Sequence, residues 1–155
     1  MTTDNQQQEV MQYDKKWRDW EEQVQSYGLS KRVIAFLRLQ GAGNNHHIDY
    51  PCQFPPRIDY EETKQVVYDE VWRSRVLPDA LATNPNQARF FQTEDQKLPM
   101  FYVPNYEALR QAVATSRGIL HMFEGDKDTW TAIEAGYLNS VGLISAGAHI
   151  TEQLG

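Results

Sequence analysis

The chain has 155 residues, the size of one domain with room for a small appended layer, and its 41% hydrophobic, 12% aromatic and 23% charged composition is that of an ordinary globular protein. No apolar run nears the ~20 residues that span a bilayer, the polar Met1–Val10 start has no signal-peptide apolar core, and a single cysteine, Cys52, excludes an internal disulfide framework and suits a reducing, cytoplasmic setting. The net charge of −6 disfavours a module that grips nucleic acid by electrostatics alone, because phosphate neutralisation supplies most non-specific affinity.

Residues 1–11 read as a disordered tail, and residues 12–57 as a helical N-terminal segment with its loop. Tyr13, Trp17, Trp20 and Val24 recur at helical spacing and predict an amphipathic helix ending near Gly28. Ser30 is an N-cap for a second helix, Lys31–Leu39, which carries Val33, Ile34, Phe36 and Leu37 and stops at Gly41. Gly41–Pro56 holds two Gly, two Asn and three Pro and reads as a loop. Residues 58–155 form the expected core. From Gln65 to Leu77 the composition turns β-rich, and Arg73 and Arg75, two apart, share one face if this is a strand. The Glu61–Gln65 segment fits equally well as the start of a helix running to Val71. Pro78–Gln87 reads as a turn region, and Ala88–Gln92 and Met100–Val103 as short strands. Asn105 caps a helix with Leu109 and Val113 on its inner face.

The last third alternates cleanly. Gly118–Phe123 (GILHMF) is an apolar, buried strand, followed by an EGD turn, a helix over Lys127–Ala135 and Gly136 at the C′ position. Val141–Ser145 (VGLIS) is a second strand, and a further helix begins around Ile150–Leu154. Strand, helix, strand at this spacing is a βαβ unit, 118–155, with parallel strands and a right-handed crossover. The fold class is therefore α/β: a helical N-terminus, a small antiparallel β element, then an incomplete, Rossmann-like parallel sheet.

Chemistry concentrates at the first βα turn. Ligands in parallel sheets bind at the carboxyl ends of strands, and Glu124 falls there, directly after GILHMF. Gly125 permits the sharp turn, and Asp128 returns toward Glu124 from the first helical turn. Two such carboxylates can hold a hard cation or act as general acid and base; equally, an acidic residue at a helix N-terminus is often only a cap. Arg73, Arg75 and Arg89 could contact nucleotide or template phosphates, against the alternative of a solvated strand face. His46, His47 and Cys52 invite a zinc reading that falls short of the usual four ligands. His121, Trp72 and Phe90 read as core.

The segment EGDKD-x7-GYLNSVGLISAG resembles the opening half of a TOPRIM domain, the metal-dependent phosphodiester-chemistry domain of primases and topoisomerases. FYVPNYEALRQAV is similar to the strand and helix leading into that domain in phage-type and mobile-element primases and primase–helicases, and RIDYEETKQVVYDEVWRSRVLP looks like the preceding hairpin region. The resemblance implies that Glu124 is the catalytic glutamate, Asp128 its accompanying acid and Gly125 the turn glycine, with Mg²⁺ or Mn²⁺ as cofactor. It implies DNA primase activity by metal-dependent nucleotidyl transfer. The family's third strand, ending in D-x-D, does not follow here, so the site is expected to be incomplete unless a partner protein or a C-terminal half supplies it. The alternative is a non-catalytic TOPRIM-like module that binds or inhibits a replication or other nucleic-acid-processing protein. On either reading the chain binds nucleic acid weakly by itself, does not enter a membrane, and leaves the second strand of the βαβ unit with an unpaired edge and an uncovered helix-facing surface, the latter with Trp17, Trp20, Ile34 and Phe36 as candidate cover.

Overall fold

A computed structural model describes residues 17–41, 45–62, 64–88, 90–92 and 97–144. The expected N-terminal tail, Tyr13, Arg89, the Ala146–Gly147 turn and the helix around Ile150–Leu154 lie outside these residues. The architecture is mixed α/β, with two antiparallel sheets and one mixed sheet.

Helix α1 (Trp20–Gln25) buries Val24 and the polar Gln23. The buried amide is satisfied on both ends: its NH₂ group donates to the carbonyls of Arg18 (2.8 Å) and Asn45 (3.0 Å), and its oxygen accepts from the Asp79 N–H at 3.1 Å. Helix α2 (Lys31–Leu37) is capped by the Ser30 hydroxyl, which accepts from the Val33 N–H at 3.3 Å. It ends earlier than its apolar pattern suggests, on Arg38 in the left-handed region (φ 57°).

Gly41–Pro56 is not a continuous loop, because β1 (His47–Gln53) runs through it. Ile48, Tyr50 and Cys52 are fully buried at period two, an alternation hidden by the surrounding Gly, Asn and Pro. Pro51 is tolerated because β1 lies at the edge of a three-stranded antiparallel sheet, beside β4 (Glu70–Val76). The Asp49 N–H, which lies on the same strand side as Pro51, donates away from β4 to the Gln40 carbonyl at 2.7 Å.

A two-strand hairpin, β2 (Arg57–Ile58) with β3 (Val66–Val67), precedes β4 (Glu70–Val76), so the β reading of Gln65–Leu77 holds over the helical one. β4 pairs antiparallel with β1 and with β5 (Phe90–Gln92). Between them, Pro78–Thr83 forms helix α3 where a turn was expected. Pro78 occupies the first helical turn, where a missing N–H costs nothing and its fixed φ favours the helix.

The third sheet has the order β6-β8-β7, with β6 (Phe101–Tyr102), β7 (His121–Glu124) and β8 (Ser140–Leu143). Helix α4 (Tyr106–Thr115) follows β6, and the Asn105 side chain caps it by accepting from the Ala108 N–H at 3.0 Å. Helix α5 (Asp126–Glu134) connects β7 to β8, which run parallel in the register His121↔Ser140 to Glu124↔Leu143. Gly136, at φ 101°, occupies the position after the C-cap as predicted.

Two expectations are corrected here. The second strand of the βαβ unit is central, not an edge: β6 pairs antiparallel with β8, and β7 forms the sheet border. The GILHMF segment is correspondingly short as a strand and open to solvent, with Ile119 53% and Met122 47% exposed and His121 half-buried.

All layers share one core. Trp130 of α5 is fully buried, donates its indole N–H to the Tyr102 hydroxyl (2.8 Å), and stands edge-on to Tyr50 at 5.0 Å. Val24, Leu29, Val33 and Leu37 close the cluster from the helical side, with Trp20, Ile34 and Phe36 partly buried against it. Trp17 sits edge-on to His46 at 4.4 Å. The Glu134 carboxylate accepts from the Ser30 N–H and hydroxyl, both at 3.0 Å, tying the end of α5 to the start of α2.

Candidate functional site at the β7–α5 turn

Glu124 is the last residue of β7 and is exposed at the carboxyl end of the parallel pair. Gly125 follows with φ 84° and ψ 173°, a conformation that side-chain-bearing residues rarely adopt. Its N–H donates to the Leu143 carbonyl (3.2 Å), and its own carbonyl accepts from the Thr129 hydroxyl (2.9 Å). Gly142 of β8 lies directly beneath: a Cβ placed there would stand 2.6 Å from Thr129 Oγ1 and 2.7 Å from the Gly125 oxygen. The turn rests on backbone because position 142 has no side chain. Asp128, in the first turn of α5, is exposed like Glu124.

Between these two acids, Asp126 behaves differently. It is 1% exposed, and its Oδ2 accepts from Arg73 Nη1 at 2.6 Å and from the Tyr50 hydroxyl. Tyr50 and Arg73 are directly opposed across the β1–β4 ladder. Burial pushes the Asp126 carboxyl above the usual carboxylate range, and Arg73, Tyr50 and Arg75 draw it partly back. The Tyr50 hydroxyl is held far above its ordinary range, first by burial and then by the charge of Asp126. The other Asp126 oxygen, Oδ1, is buried without a hydrogen-bond partner among the described residues.

The predicted phosphate-contact arginines therefore have different surroundings. Arg73 is 6% exposed and ion-paired to Asp126. Arg75 places its guanidinium 6.0 Å from the Tyr27 ring, which Lys127 of α5 approaches at 5.3 Å. Arg89 lies outside the described residues. Trp72 is half-buried, with the Arg38 guanidinium 5.6 Å from its ring.

The zinc-like set does not assemble. His46 and His47 are neighbours with rings 6.1 Å apart, whereas Cys52 is fully buried on β1 with its thiol directed at the Phe101 carbonyl (3.5 Å). Burial pushes that thiol up to about 12, away from the thiolate a metal needs. Burial also lowers His47, with the adjacent His46 adding to the effect. Among the described residues no group of three or more His, Cys, Asp or Glu side chains is placed to hold a metal. Glu124 and Asp128 remain as two exposed carboxylates at the turn; a hard cation such as Mg²⁺ takes one or two carboxylates and completes its shell with water and substrate phosphates.

Reading the chain alone misses Asp126, Tyr50 and Gly142. The signals were present: a glycine inside an apolar strand marks close backbone approach, and Tyr50 belongs to the alternation Ile48, Tyr50, Cys52. Comparison with protein-family models, with curated proteins and with solved structures found no match to this chain.

Proposed function

We propose that this chain carries the glutamate-bearing part of a TOPRIM-type, DNA primase-like site for metal-dependent nucleotidyl transfer. The supporting observation is the placement of Glu124: exposed, at the carboxyl end of a parallel β7–α5–β8 unit, followed by a positive-φ glycine and an exposed Asp128. Together with the EGDKD-x7-GYLNSVGLISAG resemblance, it supports this reading, because ligands of parallel sheets bind at the carboxyl ends of strands.

Glu124 takes the proton of the attacking 3′-hydroxyl or orients it, as the new oxygen–phosphorus bond forms and pyrophosphate leaves. Asp128 and Glu124 are the residues that would hold Mg²⁺ or Mn²⁺. That ion supplies neutralisation of phosphate charge. Further carboxylates belong to a partner protein or to sequence beyond the described residues.

Primer synthesis on single-stranded DNA, titrated with Mg²⁺ and Mn²⁺ and run with and without candidate partner proteins, tests this reading. Wild type makes primers and Glu124→Gln does not. Absence of synthesis under every condition, together with Mn²⁺ binding identical in wild type and Glu124→Gln, removes the catalytic reading.

One observation favours the alternative of a non-catalytic interaction module for nucleic-acid-processing proteins. Ile119, Leu120, Met122, Tyr137 and Leu138 are all 40% or more exposed around β7. On that reading Met122→Lys weakens partner binding and Glu124→Gln leaves it intact.

A further inference from the structure

We propose that Asp126 is a positioning residue for the Glu124–Asp128 turn, latched to the first sheet by Arg73 of β4 and Tyr50 of β1; the inference rests on the proposed reading of Glu124 and Asp128. Asp126 sits two residues from each exposed acid, yet is 1% exposed itself. As the first residue of α5, it governs the direction in which the first helical turn presents residue 128. One residue before it, Gly125 supplies a sharp turn with no side chain to brace it.

Two clamps hold the turn from opposite sides. From beneath, β8 receives the Gly125 N–H at Leu143 and admits the Gly125 carbonyl over the bare Cα of Gly142. From the other sheet, Arg73 and Tyr50 converge on one oxygen, Asp126 Oδ2. Because these residues are ladder partners, β1–β4 pairing sets their side chains next to each other, and both reach the same carboxylate oxygen. A guanidinium ion pair also has the fixed geometry that a flexible ammonium lacks.

A solvent-exposed aspartate at this position would already favour the N-terminus of α5 through the helix dipole. Burying it against an arginine adds little net stability, since desolvation offsets the attraction, but it restricts the turn to one placement. The two outward acids thereby inherit a fixed origin from the first sheet. Arg73 acts through Asp126 and does not touch substrate.

Amide hydrogen exchange, with Mn²⁺ affinity as a separate measurement, tests the latch in the full chain. Wild type is compared with Arg73→Met, Arg73→Lys, Asp126→Asn and Tyr50→Phe. In Arg73→Met, amides of residues 125–129 accelerate about tenfold more than those of α2 and β1, whose change follows the global loss of stability alone. Arg73→Lys restores part of the protection, and Mn²⁺ affinity falls about tenfold in Arg73→Met, as for other outer-shell partners. Unchanged exchange at 125–129, or equal acceleration across all elements, overturns the latch. If Arg73→Met does not fold, Tyr50→Phe decides by the same local pattern. A wild type that binds no Mn²⁺ counts against the metal reading of Glu124 and Asp128, whereas the exchange pattern alone decides the latch.

Discussion

Gly142→Ala is the most discriminating single change, because it inserts one methyl group between β8 and the turn that carries Glu124. The new Cβ would lie 2.6 Å from Thr129 Oγ1, 2.7 Å from the Gly125 carbonyl oxygen and 3.2 Å from its carbon. Ordinary carbon–oxygen contacts begin near ~3.3 Å, so the two groups must separate by roughly 0.6 Å. Thr129 can rotate away, but its hydroxyl then gives up the 2.9 Å bond to the Gly125 carbonyl, at a cost of about 1 kcal/mol. The carbonyl shares its peptide plane with the Asp126 N–H at the start of α5, so turning it disturbs the helix's first turn. Overpacking of this kind costs about 1–3 kcal/mol, against a gain of roughly 0.5–1 kcal/mol from replacing glycine in a strand. The net expectation is a destabilisation of about 1–3 kcal/mol. For a domain of this size that lowers Tm by roughly 2–10 °C. Urea unfolding followed by tryptophan fluorescence measures it. Thr129→Ala in the Gly142→Ala background recovers only part of the loss, because the backbone contact persists. A Gly142→Ala protein as stable as wild type would falsify the close approach of β8 to the Gly125 turn.

Other perturbations probe other layers. Arg73→Met leaves Asp126 buried without its ion-pair partner and should cost about 3–5 kcal/mol; adding Asp126→Leu should return most of it, and strictly additive effects in the double-mutant cycle would contradict the direct pairing seen at 2.6 Å. Cys52 has a folded-state pKa of about 12 against an ordinary 9.0. Its contribution to stability is therefore complete below pH 9 and lost as pH rises toward 12, by roughly 4 kcal/mol at the upper end. The stability gap between wild type and Cys52→Ala should narrow over that window, and a constant gap from pH 8 to 11.5 would contradict the burial. Asn105→Ala removes the cap of α4 and should cost about 1 kcal/mol in urea unfolding, with no change expected at the β7–α5 turn.

The periodic parts of the chain were readable and the compensated parts were not. α4, α5, β4 and the parallel β7–β8 pair follow from apolar spacing, the Asn105 cap and Gly136, because there local preference and tertiary placement agree. β1 was obscured because Pro51 signals a break in most strands, and only an edge position with its nitrogen facing away from β4 makes it acceptable. α3 was obscured because a proline that opens a helix and a proline that opens a turn have the same local sequence. GILHMF read as buried because its apolar run says nothing of its place in the sheet, which depends on β6 docking against β8. At the site, the exposed acids Glu124 and Asp128 were found from spacing, while Asp126 was not. Its role depends on Arg73 and Tyr50, 53 and 76 residues away along the chain, and no local pattern encodes contacts of that range.

On the proposed function, the electrostatics of the turn also limit how a nucleic acid is held. Described cations beside the turn make contacts within the fold: Arg73 neutralises Asp126, and Arg75 and Lys127 both approach the Tyr27 ring. The helix N-terminus offers partial positive charge, but Glu124 and Asp128 stand in front of it. A chain of net charge −6 with its site cations so engaged gains little from counterion release. On the proposed function, template grip would come from a partner or from a further segment, and the described residues would contribute proton handling and cation coordination. Binding of single-stranded DNA by this chain should accordingly be weak and only shallowly dependent on salt. A steep salt dependence that disappears in Arg75→Ala or Lys127→Ala would instead place the phosphate path across Tyr27, beside the turn itself.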